Sequence, residues 1–249
     1  MSFQQVLVEA GFSAADASRL SGSEYFAARH SNKSADEIAR KIAEIAEIYK
    51  TDSEAIRKAV LTHPPFANYD HTRVLNGIQE AYRASKEQAA KAVLTHPPFA
   101  GLDHTRVLNG IQEVYGASKE QAAKAVLTHP PFAGLDHTRV LRQQTRIGSL
   151  VGVEEERVRK EILVRPRLAG YSAKRYLAVI DVFRHLDGTL DGIPRERMVD
   201  WWLRNSTKSP YVPGTKRERI SHVAKQGIAA EPDLMIALRK SEHKLRVAT

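Results

Sequence analysis

Residues 58–90 read KAVLTHPPFANYDHTRVLNGIQEAYRASKEQAA, and residues 91–123 repeat them as KAVLTHPPFAGLDHTRVLNGIQEVYGASKEQAA. A third copy matches the second over residues 124–141. A fixed period of 33 residues is typical of proteins that stack one supersecondary unit on the next. The first two copies differ at Asn68/Gly101, Tyr69/Leu102, Ala81/Val114 and Arg83/Gly116.

Fainter copies flank the strong ones. Upstream, the apolar residues Ile42, Ile45 and Tyr49 have apolar counterparts 33 residues later. Downstream, residues 150–177 follow a three-residue insertion, and residues 210–245 are a more degenerate copy. We therefore expect capping helices over residues 1–30, a helical repeat array over residues 31–208, and a basic C-terminal degenerate repeat or cap over residues 209–249.

One unit can be interpreted physically from residue 103 onward. Asp103 is a suitable N-cap for a first helix, and Ser118 with Gln121 forms a capping box for a second. Pro130 ends that helix, and the Pro-Pro-Phe-Ala segment predicts a 3₁₀ turn with Phe132 inserted in the core. We expect helices over 103–115 and 118–128 and no strands. The fold class is therefore all-α, an α-solenoid of helix–helix–proline-turn repeats. The apolar face of the first helix consists of Val107, Leu108, Ile111, Val114 and Tyr115.

The composition excludes several classes of protein. An apolar content of 42% and a charged content of 27% are typical of a globular protein. The chain has no cysteine, which excludes disulfides and thiolate metal sites. No run of 18 apolar residues and no targeting segment is recognised, so we expect a cytoplasmic or nucleoid-associated protein that does not enter a membrane. We expect it to be a monomer.

The positive charge is concentrated in one half of the chain. Residues 1–138 have a net charge of −1, and residues 139–249 have a net charge of +10. A one-sided basic surface favours a polyanionic partner, of which nucleic acid is the commonest, although a solvated basic surface has the same composition.

An arginine recurs at the third position of each first helix. Helix N-termini with free N–H groups and a guanidinium bind phosphate well, so these residues are candidate contacts to a nucleic-acid backbone. The alternative is a surface pair with the capping acid three residues earlier, Asp70, Asp103 or Asp136. The five arginines are Arg40, Arg73, Arg106, Arg139 and Arg175.

A variable residue pair precedes each first helix. Two of the four differences between the best copies fall there, which predicts a role in reading a base or a partner. The alternative is drift, because the second residue of the pair is an apolar staple position where substitution is easily tolerated. The pairs are Asn68-Tyr69, Gly101-Leu102, Gly134-Leu135 and Gly170-Tyr171.

Two histidine series also follow the period. His63, His96 and His129 precede the prolines, and we interpret them as C-caps, because units about 10 Å apart are too distant to share a metal ion. We therefore expect no metal site. The second series, His71, His104 and His137, is expected at the surface or facing phosphate.

No catalytic motif is recognised. The sequence has no HExxH, no phosphate-binding glycine loop and no GxSxG, so we expect neither an enzyme nor a cofactor. In the C-terminal part, Lys216, Arg217 and Arg219 follow Tyr211, an arrangement that suits phosphate contact and stacking on a base.

The unit resembles the repeat of the mitochondrial transcription termination factor family. The resemblance lies in Pro98-Phe99, Pro131-Phe132 and Pro166 with Leu168, in the first-helix leucines Leu75, Leu108, Leu141 and Leu177, and in Gly116-Ala117-Ser118 and Gly11-Phe12-Ser13. It implies a superhelix that winds along duplex DNA or RNA, and a role in transcription. The chain departs from that family in lacking a recognised organelle-targeting segment and in its nearly identical copies.

Tandem copies that differ at a residue pair also resemble the TAL effectors, whose two-residue loops read one base per repeat. Those effectors share the repeat length but not the Pro-Pro-Phe sequence. The sequence thus favours a helical repeat protein that binds nucleic acid, duplex DNA before RNA. A protein-binding repeat scaffold or effector is the alternative.

Overall fold

The computed structural model describes residues 1–150 and 153–170. Within these residues all regular secondary structure is helical, which confirms the all-α prediction. Three short helices come first and lie within the expected N-terminal segment: α1 (Phe3–Glu9), α2 (Ala14–Ser21) and α3 (Glu24–His30).

Four repeats follow, each with a first helix, a second helix and a 3₁₀ turn (η). The first repeat is α4 (Ala35–Tyr49), α5 (Ser53–Thr62) and η1 (Pro64–Asn68). The second is α6 (His71–Tyr82), α7 (Lys86–Thr95) and η2 (Pro97–Gly101). The third is α8 (His104–Tyr115), α9 (Lys119–Thr128) and η3 (Pro130–Gly134). The fourth is α10 (His137–Leu150), α11 (Glu155–Val164) and η4 (Pro166–Gly170). The helices predicted over 103–115 and 118–128 and the proline turn after them are confirmed.

Local sequence explains where the second helices begin and where the first ones end. The hydroxyl of Ser118 accepts the N–H of Gln121, whose side chain accepts the N–H of Ser118, so the predicted capping box is present. Gly116 ends α8 at φ +63°, a left-handed conformation that favours glycine. Arg83 occupies the same place after α6 at φ 51°, where a side chain is less well tolerated.

The phenylalanine of each proline turn is at the centre of the core. Phe66, Phe99 and Phe132 are 0% exposed, as predicted for Phe132. Burial of one such ring stabilises the fold by roughly 1.5–3 kcal/mol. The second helices present alanines such as Ala89 and Ala122, also fully buried, which allow neighbouring helices to approach closely.

The chain divides into two compact units. The first comprises Met1–Glu113 and Ala117–Gly134, and the second comprises Val114–Gly116 and the chain from Leu135 onward. Within the first unit equivalent elements of successive repeats contact one another: η1 contacts η2 and η2 contacts η3, while α7 contacts both α5 and α9. The repeats of this unit are therefore stacked in register.

The helices α10 and α11, which belong to the second unit, approach each other closely. A Cβ atom at Gly148 of α10 would lie 2.7 Å from Cγ2 of Val158 in α11 and 3.2 Å from the carbonyl oxygen of Val153. Only glycine leaves room for that contact. The three-residue insertion predicted here accompanies an α10 of 14 residues, against 12 in α6 and α8.

The first repeat departs from the strict period. Ser34 caps α4 and forms a capping box with Glu37, so the helix begins at Ala35, earlier than the 33-residue spacing predicts. Among the described residues, none of the helices combines the length and the apolarity that crossing a bilayer requires.

Candidate nucleic-acid interface

Three of the predicted arginines occupy one structural position. Arg73, Arg106 and Arg139 are each the third residue of a first helix. In each helix the backbone N–H of the arginine donates to Oδ1 of the capping aspartate at 3.0 Å. The aspartates are Asp70, Asp103 and Asp136, which the sequence predicted as N-caps.

The guanidinium groups of these arginines form no ion pair with the described part of the chain. All three residues are exposed, and no carboxylate within the described ranges lies within 4.0 Å of their side chains. The surface pair with the capping aspartate is therefore not formed, because the carboxylate is turned to the helix N-terminus and accepts the backbone N–H. We call Arg73, Arg106 and Arg139 the arginine series. Its members present unneutralised charge beside successive helix N-termini.

The placement of Arg40 in this series was wrong. Because α4 begins at Ala35, Arg40 is the sixth residue of its helix, almost one turn further along than Arg73 in α6. The physical reason is the capping box of Ser34 and Glu37, which adds a turn before the position where the period places an N-cap. Arg40 is exposed, but it is not equivalent to the arginine series.

A second basic series was missed by the sequence interpretation. Lys58, Lys91 and Lys124 are exposed at one position of the second helices α5, α7 and α9. Their 33-residue spacing is visible in the repeated copies and could have revealed them. We call them the lysine series. Lys58 lies 3.8 Å from a carboxylate oxygen of Glu54.

The histidines expected at the surface are instead inside the repeat junctions. His71 is 4% exposed, and His104 and His137 are half-buried. Nδ1 of each lies within hydrogen-bonding distance of a tyrosine hydroxyl of the preceding first helix, at 3.1, 3.2 and 3.4 Å. The prediction failed because a side chain at the first helical position points back over the preceding turn, where the phenylalanine lies. The tyrosines are Tyr49, Tyr82 and Tyr115.

These junction histidines are neutral at physiological pH. Burial lowers the pKa of His71, His104 and His137 to about 4, with the charge of Lys41 contributing at His71. Burial also raises the pKa of the partner tyrosines. The feature of the sequence that could have revealed these contacts is the recurrent spacing of 22 residues between the tyrosine and the histidine. The tyrosine–histidine pairs pack neighbouring repeats together. Because their histidines are neutral, these pairs offer no positive charge to a phosphate.

The other histidine series is placed as predicted. His63, His96 and His129 are the C-caps of α5, α7 and α9. Burial, and secondarily the charge of His96, lowers the pKa of His63. The described part of the chain contains no cluster of three or more histidine, aspartate or glutamate side chains positioned to hold a metal ion.

The variable pair of the first repeat packs inward. Asn68 and Tyr69 are half-buried, and the hydroxyl of Tyr69 lies 2.8 Å from Nε2 of His63. Burial is the chief cause of the lowered pKa of His30, and the neighbouring Asn68 side chain opposes that shift. A Cβ atom at Gly101 would lie 2.6 Å from the Tyr69 hydroxyl. Tyr69 of the first copy therefore occupies the space that a side chain at Gly101 of the next copy would need, so the two differences fit each other.

The remaining predicted residues are placed as follows. Leu102 and Leu135 are half-buried, while Gly134 and Gly170 are exposed at the ends of η3 and η4. Tyr171, Arg175, Lys216, Arg217 and Arg219 lie outside the described residues.

No protein-family model matches the sequence, and no curated protein is similar to it. The function of the arginine series is therefore inferred from the chain's own residues.

Proposed function

We propose that the chain binds nucleic acid, duplex DNA in preference to RNA, through the arginine series. The observation that carries the proposal is the recurrence of an exposed arginine at the third residue of three successive first helices, with no carboxylate partner among residues 1–150 and 153–170. A planar guanidinium binds a phosphate through two parallel N–H donors, which makes arginine the preferred residue for this contact.

A duplex suits cations that recur at a fixed period along the sequence. Single strands are usually bound by exposed aromatic side chains that stack on the bases. Of the aromatic rings in residues 1–150 and 153–170, only that of Tyr25 is exposed, at 42%, and the guanidinium of Arg29 lies 5.2 Å from its centre. The surface described therefore favours contact with phosphates over stacking on bases.

Long-range charge would assist this binding. In the proposal the stacked repeats form an α-solenoid, and the net charge of +10 in residues 139–249 attracts the polyanion to it. Contacts to phosphate carry no sequence information by themselves, so the arginine series would position the protein on DNA. A role in transcription and a monomeric state belong to the same proposal.

The experiment is a binding measurement with random-sequence duplex DNA, single-stranded DNA and RNA at two salt concentrations. We expect the duplex to bind most tightly. The logarithm of its association constant should fall with the logarithm of salt concentration by roughly 0.9 for every phosphate contacted. Absence of binding to all three at low salt would overturn the proposal, and tighter binding of RNA would overturn the preference for DNA.

A further inference from the structure

A groove of about 430 Å³ lies between the C-terminal end of α4 and the exposed face of α7. Both helices belong to the first compact unit. The apolar part of its lining includes Ile48 from α4 and Ala90 and Leu94 from α7. Ile48 and Leu94 are half-buried, so part of this apolar surface is available to a ligand.

The charged part of the lining is mostly basic. Lys50, Lys86 and Lys91 are exposed, and within the described residues none of them has a carboxylate within 4.0 Å. Glu87 is the one acidic residue of the lining. Backbone hydrogen bonding at the start of α7, then Ser85, Lys50 and Lys86, lower the pKa of Glu87, so it is ionised. The groove therefore presents three ammonium groups and one carboxylate.

The corresponding place in the next repeat differs. Arg83 occupies the position equivalent to Lys50 of the groove, and Glu120 occupies the position equivalent to Glu87. Nη1 of Arg83 lies 3.5 Å from Oε1 of Glu120, so these two side chains pair across the boundary between the helices. In the groove the equivalent pair is not formed, and the lysine charges stay available to a partner.

We propose that this groove docks an acidic segment of a partner protein, with an apolar side chain of that segment against Leu94 and Ile48. Two observations favour a peptide over nucleic acid at this site. Glu87 would repel a continuous row of phosphates, whereas a peptide tolerates one carboxylate among the lysines. The aromatic ring beside the groove, Tyr49, is 4% exposed and offers no face to a base.

The inference is independent of the proposed nucleic-acid binding. The groove is formed by the C-terminal end of a first helix, whereas the arginine series lies at N-terminal ends. An adaptor that holds an acidic partner beside bound nucleic acid would use both surfaces.

The chain offers a matched control, because α7 and α9 have the same sequence, KEQAAKAVLT. The probe is a fluorescently labelled acidic peptide made of tandem Glu-Glu-Leu-Leu units, and binding is measured by anisotropy on the full chain. We expect Lys91→Glu to weaken binding about tenfold or more, because it reverses a charge at the contact. The control Lys124→Glu, at the equivalent place in α9, should change binding by less than about twofold.

Leu94→Ser provides a second variant, with Leu127→Ser as its control, and circular dichroism checks that all four variants are folded. Loss of binding with Leu94→Ser but not with Leu127→Ser would support the apolar contact. Equal weakening by Lys91→Glu and Lys124→Glu would show general charge attraction and overturn the proposal. So would absence of peptide binding, or displacement of the peptide by duplex DNA whose own binding depends on Lys91. None of these outcomes involves the arginine series, so the two proposals fail separately.

Discussion

At the scale of single residues, the pair Tyr69 and Gly101 explains how nearly identical repeats can differ. The tyrosine hydroxyl reaches across to the next repeat, where a Cβ atom would lie 2.6 Å away. One repeat later Leu102 replaces the tyrosine, and a Cβ atom at Gly134 would meet no atom within 4 Å. A glycine is thus required at the first junction and only tolerated at the second.

Gly101→Ala is predicted to lower the free energy of unfolding by about 1–3 kcal/mol, the usual cost of an added methyl group that forces a packed ring to move. Gly134→Ala, its matched control, should change that free energy by less than about 0.5 kcal/mol. Urea denaturation of the two variants is the measurement.

The double variant Tyr69→Leu/Gly101→Ala tests whether contact with Tyr69 causes the destabilisation by Gly101→Ala. In the Tyr69→Leu background, adding Gly101→Ala should cost less than about 0.5 kcal/mol, because the ring that it meets is gone. A cost that stays the same in both backgrounds would assign the effect to the turn itself and not to Tyr69.

The sequence did not reveal these residue contacts, for physical reasons. A period identifies equivalent positions but not the direction of each side chain. His71 is polar and follows an N-cap, so surface exposure was the natural expectation. Its ring instead lies 4.6 Å from that of Phe66 and within hydrogen-bonding distance of Tyr49, a residue 22 positions earlier.

At the scale of elements, local signals predicted most of the fold. Capping boxes and paired prolines fixed the helices of the third repeat to within a residue, because both act over three or four residues. The start of α4 was misplaced because Ser34 caps the helix and forms a capping box with Glu37, the residue at the periodic N-cap position. The exposed face of α7 that forms the groove was not foreseen, because a groove depends on how neighbouring helices pack.

Deletion of residues 91–123 is predicted to leave a folded, shorter protein. The deletion keeps every junction in register: His137 then follows Tyr82 at the 22-residue spacing, and Gly134 takes the place of Gly101 after Tyr69. Stability in a stack is close to a sum over repeats and their junctions, so unfolding should stay cooperative with a lower free energy. Circular dichroism during urea titration measures both properties.

A deletion out of register is the control. Removing residues 91–112 breaks the period, so it should abolish cooperative unfolding. If the in-register deletion also aggregates or unfolds without cooperativity, the repeats are not modules.

At the scale of the whole molecule, the junction histidines predict a pH-dependent stability. The pKa of His71, His104 and His137 is about 4 in the folded protein and about 6.5 when unfolded, so between these values the unfolded chain binds more protons. Their contribution is complete above pH 6.5 and is lost as the pH falls towards 4. At pH 5.5 the loss should be about 1.4 kcal/mol for each histidine.

Urea denaturation at pH 7.5 and pH 5.5 measures this loss before most carboxylates titrate. The control variant His104→Gln removes one of these groups, so the difference between the two pH values should shrink by about 1.4 kcal/mol. An unchanged difference would mean that His104 is not a source of the pH dependence.

The most direct test of the nucleic-acid interface compares two triple variants with the same loss of charge. The first changes the arginine series, Arg73, Arg106 and Arg139, to glutamine, and the second changes the lysine series, Lys58, Lys91 and Lys124, to glutamine. Both series consist of exposed residues, so both variants should stay folded, which circular dichroism checks.

The measurement is duplex DNA binding over a range of salt concentrations. The arginine variant should bind more weakly to every sequence, and its salt slope should flatten by roughly 0.9 for each arginine removed. The lysine variant should keep the slope of the unmodified protein. An arginine variant whose affinity and salt slope equal those of the lysine variant would contradict the assignment of the arginine series to the phosphate contacts.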